Sequence, residues 1–190
     1  AIKVNPNYFE AYNNRGHIFF ELNKLSDAIE SYNQAIKIKS DYFEAYNAKA
    51  FVLQKLQRFD EAIESWGNAI KINPNFIGAH INRGHTFFDL KRYEKALNSY
   101  NDAFALDPEY PFLLGQLIHT KLKISDWKNL KENLEELEKN ILKLKKVSNP
   151  FPILAFFDSP SLQKITAEIW AKEHVLKNNK IEDIFRRETN

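Results

Sequence analysis

Apolar and small residues recur along the first hundred residues of the chain at a fixed spacing of 34 positions. The segment Tyr8-Phe9-Glu10-Ala11-Tyr12 returns as Tyr42-Phe43-Glu44-Ala45-Tyr46 and, more loosely, as Phe76-Ile77-Gly78-Ala79-His80. Further sets keep the same spacing, and they are Gly16/Ala50/Gly84, Phe19/Leu53/Phe87, Ala28/Ala62/Ala96, Tyr32/Trp66/Tyr100 and Ala35/Ala69/Ala103. Because many positions agree in every copy, the pattern predicts a tandem array of similar structural units.

Each unit is predicted to consist of a helix, a turn and a second helix. Small residues such as Gly16 and Ala28 allow the helix axes to approach closely, and an aromatic ring such as Tyr32 fills the space between them. Acidic or polar pairs suit the start of a second helix, and proline suits the position after its end. These residues are Ser26-Asp27, Asp60-Glu61, Pro6, Pro74 and Pro108, with Ser40 where one proline is missing. One pair cannot bury its own apolar face, so stacking must supply the core.

A 34-residue period built from these residues resembles the tetratricopeptide repeat (TPR) family. The resemblance implies an all-α superhelix over residues 1–108, with units of about 9–42, 43–76 and 77–110. Ala1-Ile2-Lys3 aligns with Ala35-Ile36-Lys37 and Ala69-Ile70-Lys71. We therefore expect three full repeats, preceded by a partial repeat that is cut through its second helix, and a longer parent protein.

In the TPR family the first helices line a concave groove, and the resemblance implies that this groove binds a protein or a peptide. Asn14 and Asn82 occupy the position at which O-linked N-acetylglucosamine transferases carry asparagines that clamp peptide backbone, and Ala48 interrupts that row. An amide side chain both donates and accepts hydrogen bonds, which suits backbone binding, although it also bonds readily to its own backbone. The predicted groove face is Asn13, Asn14, His17, Phe20, Asn47, Phe51, Asn82, His85 and Phe88.

The repeats also contain residues of the types that form two other kinds of site, a carboxylate clamp and a metal centre. Arg15, Lys49 and Arg83 recur at one position and would suit a clamp for a terminal carboxylate, although this position usually packs against the neighbouring helix. His17 and His85 lie two repeats apart, and neither has a second ligand one helical turn away, so we expect no metal site. His80 aligns with Tyr12 and is expected to pack in the core.

The period ends after Pro108, and the rest of the chain is predicted to be helical. Residues 109–148 are expected to form a degenerate helix pair: a helix from about Pro111 to Leu122, a turn at Ile124–Trp127, and a long helix that caps the repeats. The apolar residues of the long helix form a heptad-like stripe, Leu130, Leu134, Leu137, Ile141 and Leu144, ending near Val147. Residues 149–190 are predicted to be a helical linker, in which Asn149-Pro150-Phe151-Pro152 breaks the chain, Ser159-Pro160 starts a helix toward Val175, and Ile184–Arg187 forms a basic end.

This second part resembles one particular segment. Gly115-Gln116-Leu117-Ile118-His119, Asp126-Trp127, Asn149-Pro150-Phe151-Pro152 and Ser159-Pro160 are similar to the linker of bacterial SPINDLY-type homologues of O-linked N-acetylglucosamine transferase. The resemblance implies a recruiting arm of a cytoplasmic glycosyltransferase whose catalytic domain lies beyond Asn190. The alternative is a free-standing scaffold or adaptor without an enzyme.

The composition and the absence of known catalytic motifs argue against several other classes of function. The net charge of +2 and the mixed charges, as in Lys131–Lys146, argue against nucleic acid. The chain has no cysteine, and no apolar run approaches the roughly 18 residues of a membrane span. It has no glycine-rich phosphate loop, nucleophile elbow or paired acid motif. We therefore predict no catalytic residue, no cofactor and no membrane or nucleic-acid partner.

Overall fold

The computed structural model describes the backbone of residues 8–187 and the side chains of residues 8–174. Within this part of the chain every regular element is an α-helix, which confirms the predicted all-α class. Contacts divide the chain into two units, residues 1–106 and 107–190. The partial repeat predicted at Ala1–Lys3, together with Pro6, and the side chains of the basic end at Ile184–Arg187 lie outside the described residues.

The first unit consists of three helix pairs that follow one another with the predicted period. Each helix packs against the next one along the chain, both within a pair and between pairs. This packing is that of a TPR superhelix. The helices are α1 (Phe9–Glu21), α2 (Leu25–Ile38), α3 (Phe43–Lys55), α4 (Phe59–Ile72), α5 (Ile77–Asp89) and α6 (Tyr93–Leu106).

Small residues bring the two helices of a pair together, as the sequence predicts. A Cβ atom added to Gly16 would lie 2.5 Å from the ring of Tyr32, and one added to Gly84 would lie 2.6 Å from the ring of Tyr100. Both rings are fully buried. Because ordinary carbon–carbon contacts are roughly 3.5–4.0 Å, the aromatic rings fill the space that the missing side chains leave.

The turn inside each pair depends on a left-handed residue that the sequence does not reveal. Asn23, Gln57 and Lys91 occupy equivalent positions and have φ values of 55°, 59° and 58°. The next residue's backbone N–H then donates to a carbonyl in the last turn of the first helix, as Lys24 does to Phe19 at 2.8 Å. This geometry closes the helix and reverses the chain.

The second unit contains four helices, α7 (Leu113–Lys123), α8 (Leu130–Leu142), α9 (Pro150–Phe156) and α10 (Pro160–Arg187). Helix α10 begins as predicted, and Ser159 caps it because its hydroxyl accepts a hydrogen bond from the Leu162 N–H at 3.5 Å. Gly115 allows the chain after α8 to cross α7 closely. Its N–H donates to the carbonyl of Val147 at 2.8 Å, and a Cβ atom there would lie 2.8 Å from the Ser148 Cα.

Two boundaries predicted for this unit are wrong. The long helix does not reach Val147, because α8 ends at Leu142 and Leu144 is left-handed and 66% exposed. The break predicted at residues 149–152 lies earlier, because residues 143–149 separate α8 from α9 and Pro150 already stands in the first turn of α9. Proline is tolerated there, since the N–H groups of the first turn have no partner inside the helix.

Candidate functional site

The predicted groove face is divided between exposed and buried side chains. His17, Phe51 and His85 are exposed and occupy the same position in the three first helices α1, α3 and α5. Asn14 is also exposed, and Asn13 is buried. The other members are half-buried, and they are Phe20, Asn47, Asn82 and Phe88. The face therefore exposes a row of three rings, each one repeat apart.

Each ring of this row stands edge-on to the buried aromatic of its own repeat. The ring centroids of His17 and Tyr32 are 5.5 Å apart, and those of Phe51 and Trp66 are 5.7 Å apart. His85 repeats the contact with Tyr100 at 5.5 Å. Edge-to-face pairs of this kind stabilise ring orientation, so the exposed rings are held in place by the core beneath them.

Three members of the face surround one cavity. His17 and Phe20 of α1, with Phe51 of α3, line a space of about 150 Å³ whose other walls are Tyr32 and Ala48. Ala48, which interrupts the predicted asparagine row, forms part of this wall. The asparagine at the same position in the next repeat, Asn82, has three more heavy atoms in its side chain. The small residue at position 48 is thus a feature of the site, a role that the sequence alone did not suggest.

Charged side chains close to the groove face affect the pKa values of its rings and of the aromatic residues beneath them. The Tyr32 hydroxyl lies 3.2 Å from Nδ1 of His17, and burial together with the negative charge of Glu21 raises the pKa of Tyr32 to about 12. Although the His85 residue as a whole is exposed, desolvation of its imidazole by the surrounding protein lowers its pKa, and Asp89 acts in the opposite direction. Lys55 places its ammonium 5.0 Å from the centre of the Phe20 ring. The rings of the face therefore lie within the fields of carboxylates and one lysine.

The equivalent asparagines Asn13 and Asn47 differ in their hydrogen bonds. Asn47 Oδ1 accepts a hydrogen bond from the indole N–H of Trp66 at 3.1 Å, so it fixes the core aromatic of its own repeat. Asn13 is the equivalent residue and is 6% exposed, but its repeat has Tyr32 instead of an indole. Its Oδ1 has no donor within the described residues, and neither has the buried Oε2 of Glu10, one turn earlier on α1. Two buried acceptors are therefore left unpaired.

The structure does not favour a carboxylate clamp at the recurring cationic position. Arg15 Nε donates to the Ser31 hydroxyl at 3.0 Å, and Arg83 Nε donates to the Ser99 hydroxyl at 3.1 Å. In both repeats the guanidinium contacts the second helix of its own pair and is engaged in packing. Burial lowers the pKa of Lys49, which is half-buried at the same position.

The expected packing role of His80 is confirmed. It is buried, and its Nε2 lies 2.9 Å from the carbonyl oxygen of Pro74. Among the described residues no three histidine, cysteine, aspartate or glutamate side chains are grouped to hold a metal ion. Among the same residues no helix is both long and apolar enough to cross a bilayer.

Sequence models of repeat families match the first part of the chain. A model described as TPR repeat matches residues 16–57 and 55–91, and a model described as tetratricopeptide repeat matches residues 78–110. None of the curated proteins matches the chain significantly.

Solved TPR structures are similar in fold. MamA 41-end from Desulfovibrio magneticus RS-1 is 20% identical with a TM-score of 0.62, and the match covers 73% of this chain and 78% of that one. The first TPR of Spaghetti (RPAP3), bound to the HSP90 peptide SRMEEVD, is 20% identical with a TM-score of 0.57, covering 62% and 93%. The Arabidopsis OM64 TPR domain is 22% identical with a TM-score of 0.51, covering 65% and 94%. Residues 16–110 are thus tetratricopeptide repeats, and through them the chain belongs to the tetratricopeptide repeat family.

Proposed function

We propose that the chain is a protein-interaction module that binds an extended segment of a partner polypeptide against the groove face. The observation that carries the proposal is the cavity of about 150 Å³ between α1, α2 and α3, lined by three residues of that face. Large apolar side chains exposed beside a concave space mark binding sites more often than isolated exposed residues do. Phe51 remains 38% exposed at the edge of this cavity.

The row of rings supports an extended ligand rather than a compact one. His17, Phe51 and His85 project from equivalent positions of three stacked repeats, so their spacing follows the repeat axis. A ligand that contacts all three has to extend along the stack. The solved Spaghetti (RPAP3) repeat with its HSP90 peptide supports the general capacity of such helix pairs to hold a peptide.

The wider hypothesis is that these repeats recruit substrates for a glycosyltransferase related to the SPINDLY-type enzymes. It rests on the resemblance of residues 115–160 and on the partial asparagine row at Asn14 and Asn82, and neither the family models nor the solved structures support it. A free-standing adaptor is the alternative. Sequencing the parent reading frame beyond Asn190 distinguishes them, because the first requires a nucleotide-sugar-binding domain there and the second does not.

Selection of peptides tests the proposed function directly. Random dodecamers displayed on phage are selected on the full 190-residue chain, and the enriched peptides are then synthesised and titrated by fluorescence anisotropy. The comparison variant is Phe51→Arg, which places a charge on the cavity wall. The matched control is Asn33→Arg, an exposed position on α2 outside the groove face.

We expect enriched peptides to bind the wild type and the Asn33→Arg variant equally and to bind Phe51→Arg at least about tenfold more weakly. That loss corresponds to burial of one apolar side chain. Equal binding to all three proteins would place the ligand outside the groove face. A selection without any enriched peptide would also contradict the proposal.

A further inference from the structure

We propose that the groove face selects basic segments that carry one aromatic or branched aliphatic side chain, an inference that rests on the proposed function. The apolar side chain occupies the cavity lined by His17, Phe20 and Phe51. A lysine or arginine beside it in the ligand contacts the carboxylates that flank this face on the first helices. The partner is therefore a basic, apolar stretch of polypeptide, and no free carboxyl terminus is required.

The size and lining of the cavity specify the apolar part. An apolar cavity of roughly 150 Å³ is large enough to hold a benzene ring. Its walls are aromatic carbon and the methyl group of Ala48, and the one polar pair among them, Tyr32 and His17, already interacts. A polar ligand side chain would lose its water without gaining a partner, whereas a phenyl or isobutyl group gains burial.

The carboxylates next to the groove face indicate that the ligand is basic. Carboxylates lie one helical turn beyond the rings on two of the first helices, at Glu21 and Asp89, and Lys55 occupies that position on the third. Toward the start of the helices, Glu10 and Glu44 lie one turn before Asn13 and Asn47. At these two helix positions, next to the groove face, the described residues thus include four carboxylates and one ammonium. Nearby Arg15 and Arg83 contact the serines of the second helices.

The unpaired acceptors are an independent observation that points to a donor ligand. Glu10 Oε2 and Asn13 Oδ1 are buried on adjacent turns of α1 and accept no hydrogen bond within the described residues. Because a buried oxygen without a donor is unfavourable, a small movement of either side chain toward a ligand ammonium, guanidinium or backbone N–H gains a hydrogen bond that the protein itself does not supply. Asn13 lies one turn from His17, so the donor site adjoins the cavity.

Three labelled peptides, acetylated and amidated, test this specificity on the full chain. The parent is Gly-Ser-Lys-Ser-Phe-Ser-Lys-Ser-Gly, the second replaces phenylalanine by serine, and the third replaces both lysines by glutamate. In an extended segment, side chains two residues apart lie on the same face roughly 6.6 Å apart, which is close to the helical turn of roughly 5.4 Å that separates Asn13 from His17. We expect the parent to bind at least about tenfold more tightly than either other peptide.

Variants assign each preference to its own residues. Ala48→Leu fills the cavity, and is expected to abolish the preference for phenylalanine while the preference for lysine remains. Because leucine at this position also presses on α2, Phe20→Ser serves as a second cavity variant that adds no volume. Glu10→Gln with Glu21→Gln is expected to weaken the preference for lysine alone. The controls are Ile18→Ala and Glu30→Gln, which alter exposed side chains outside the cavity wall.

The outcomes separate this inference from the proposed function. If the serine or glutamate peptide binds as tightly as the parent, the specificity is wrong. If the parent does not bind, while peptides selected from the random library bind in a way that Phe51→Arg abolishes, the specificity is also wrong and the peptide-binding function stands. If no peptide of either kind binds the groove face, both proposals fall.

Discussion

Replacing Gly84 by alanine tests how closely the two helices of a repeat are packed. A Cβ atom at this position lies 2.6 Å from Cε1 and 2.7 Å from Cδ1 of Tyr100, whose ring is fully buried. These distances are shorter than ordinary contacts by about 1 Å, so the ring or the helix must move. Overpacking of this kind costs about 1–3 kcal/mol, against a gain of about 1 kcal/mol from the better helix propensity of alanine.

Gly67→Ala is the matched control, since Gly67 lies within α4 and a Cβ atom there has no neighbour within 4 Å. It keeps the propensity gain without the collision. The free energies of unfolding of the two variants are therefore expected to differ by about 1–3 kcal/mol, with Gly84→Ala melting at least about 2 °C below Gly67→Ala. If Gly84→Ala is stabilised as much as Gly67→Ala, Tyr100 does not require the missing side chain and the packing argument is refuted.

Other predictions concern the turns, the core hydrogen bond and the second unit. Gln57→Gly removes the strain of a left-handed glutamine and is expected to raise the free energy of unfolding by about 0.5–1 kcal/mol in a denaturant titration. Trp66→Phe leaves Asn47 Oδ1 without its donor and is expected to cost about 1–3 kcal/mol, measured in the same way. Gly115→Ala collides with the backbone of Ser148, and faster amide exchange confined to residues 107–174 is expected; unchanged exchange there would contradict the close crossing.

The helix pairs could be predicted from the sequence because the close packing of the two helices requires the same residue types in every repeat. A small residue at Gly16 and a ring at Tyr32 are needed together, and both recur with the repeat. The left-handed turns were not predictable, because Gln57 and Lys91 carry none of the glycine or asparagine preference that usually marks such positions. In these turns the packing of the two helices fixes the left-handed backbone conformation, and the residue adopts it at a cost in conformational free energy.

The start of α9 and the cavity could not be predicted from the sequence, for different reasons. Prolines at 150 and 152 suggested a break, but proline also suits a first helical turn, and only the neighbouring helices decide between these structures. For the candidate site, register alone placed His17, Phe20 and Phe51 on one face. The cavity depends on the volume left by Ala48 beside Tyr32, which requires side-chain directions on three helices. The groove face as a ligand site stays a prediction.

Photo-crosslinking at position 51 tests the central claim, that the first helices of the repeats bind a polypeptide, most directly. Benzoylphenylalanine replaces Phe51 in one full-length protein and Asn33 in another, and each is irradiated with a labelled peptide obtained from the random library. The account predicts a crosslinked product at position 51 and none at position 33, with mass spectrometry locating the adduct at the apolar residue of the peptide. Equal crosslinking at both positions, or crosslinking at position 33 alone, would contradict the account.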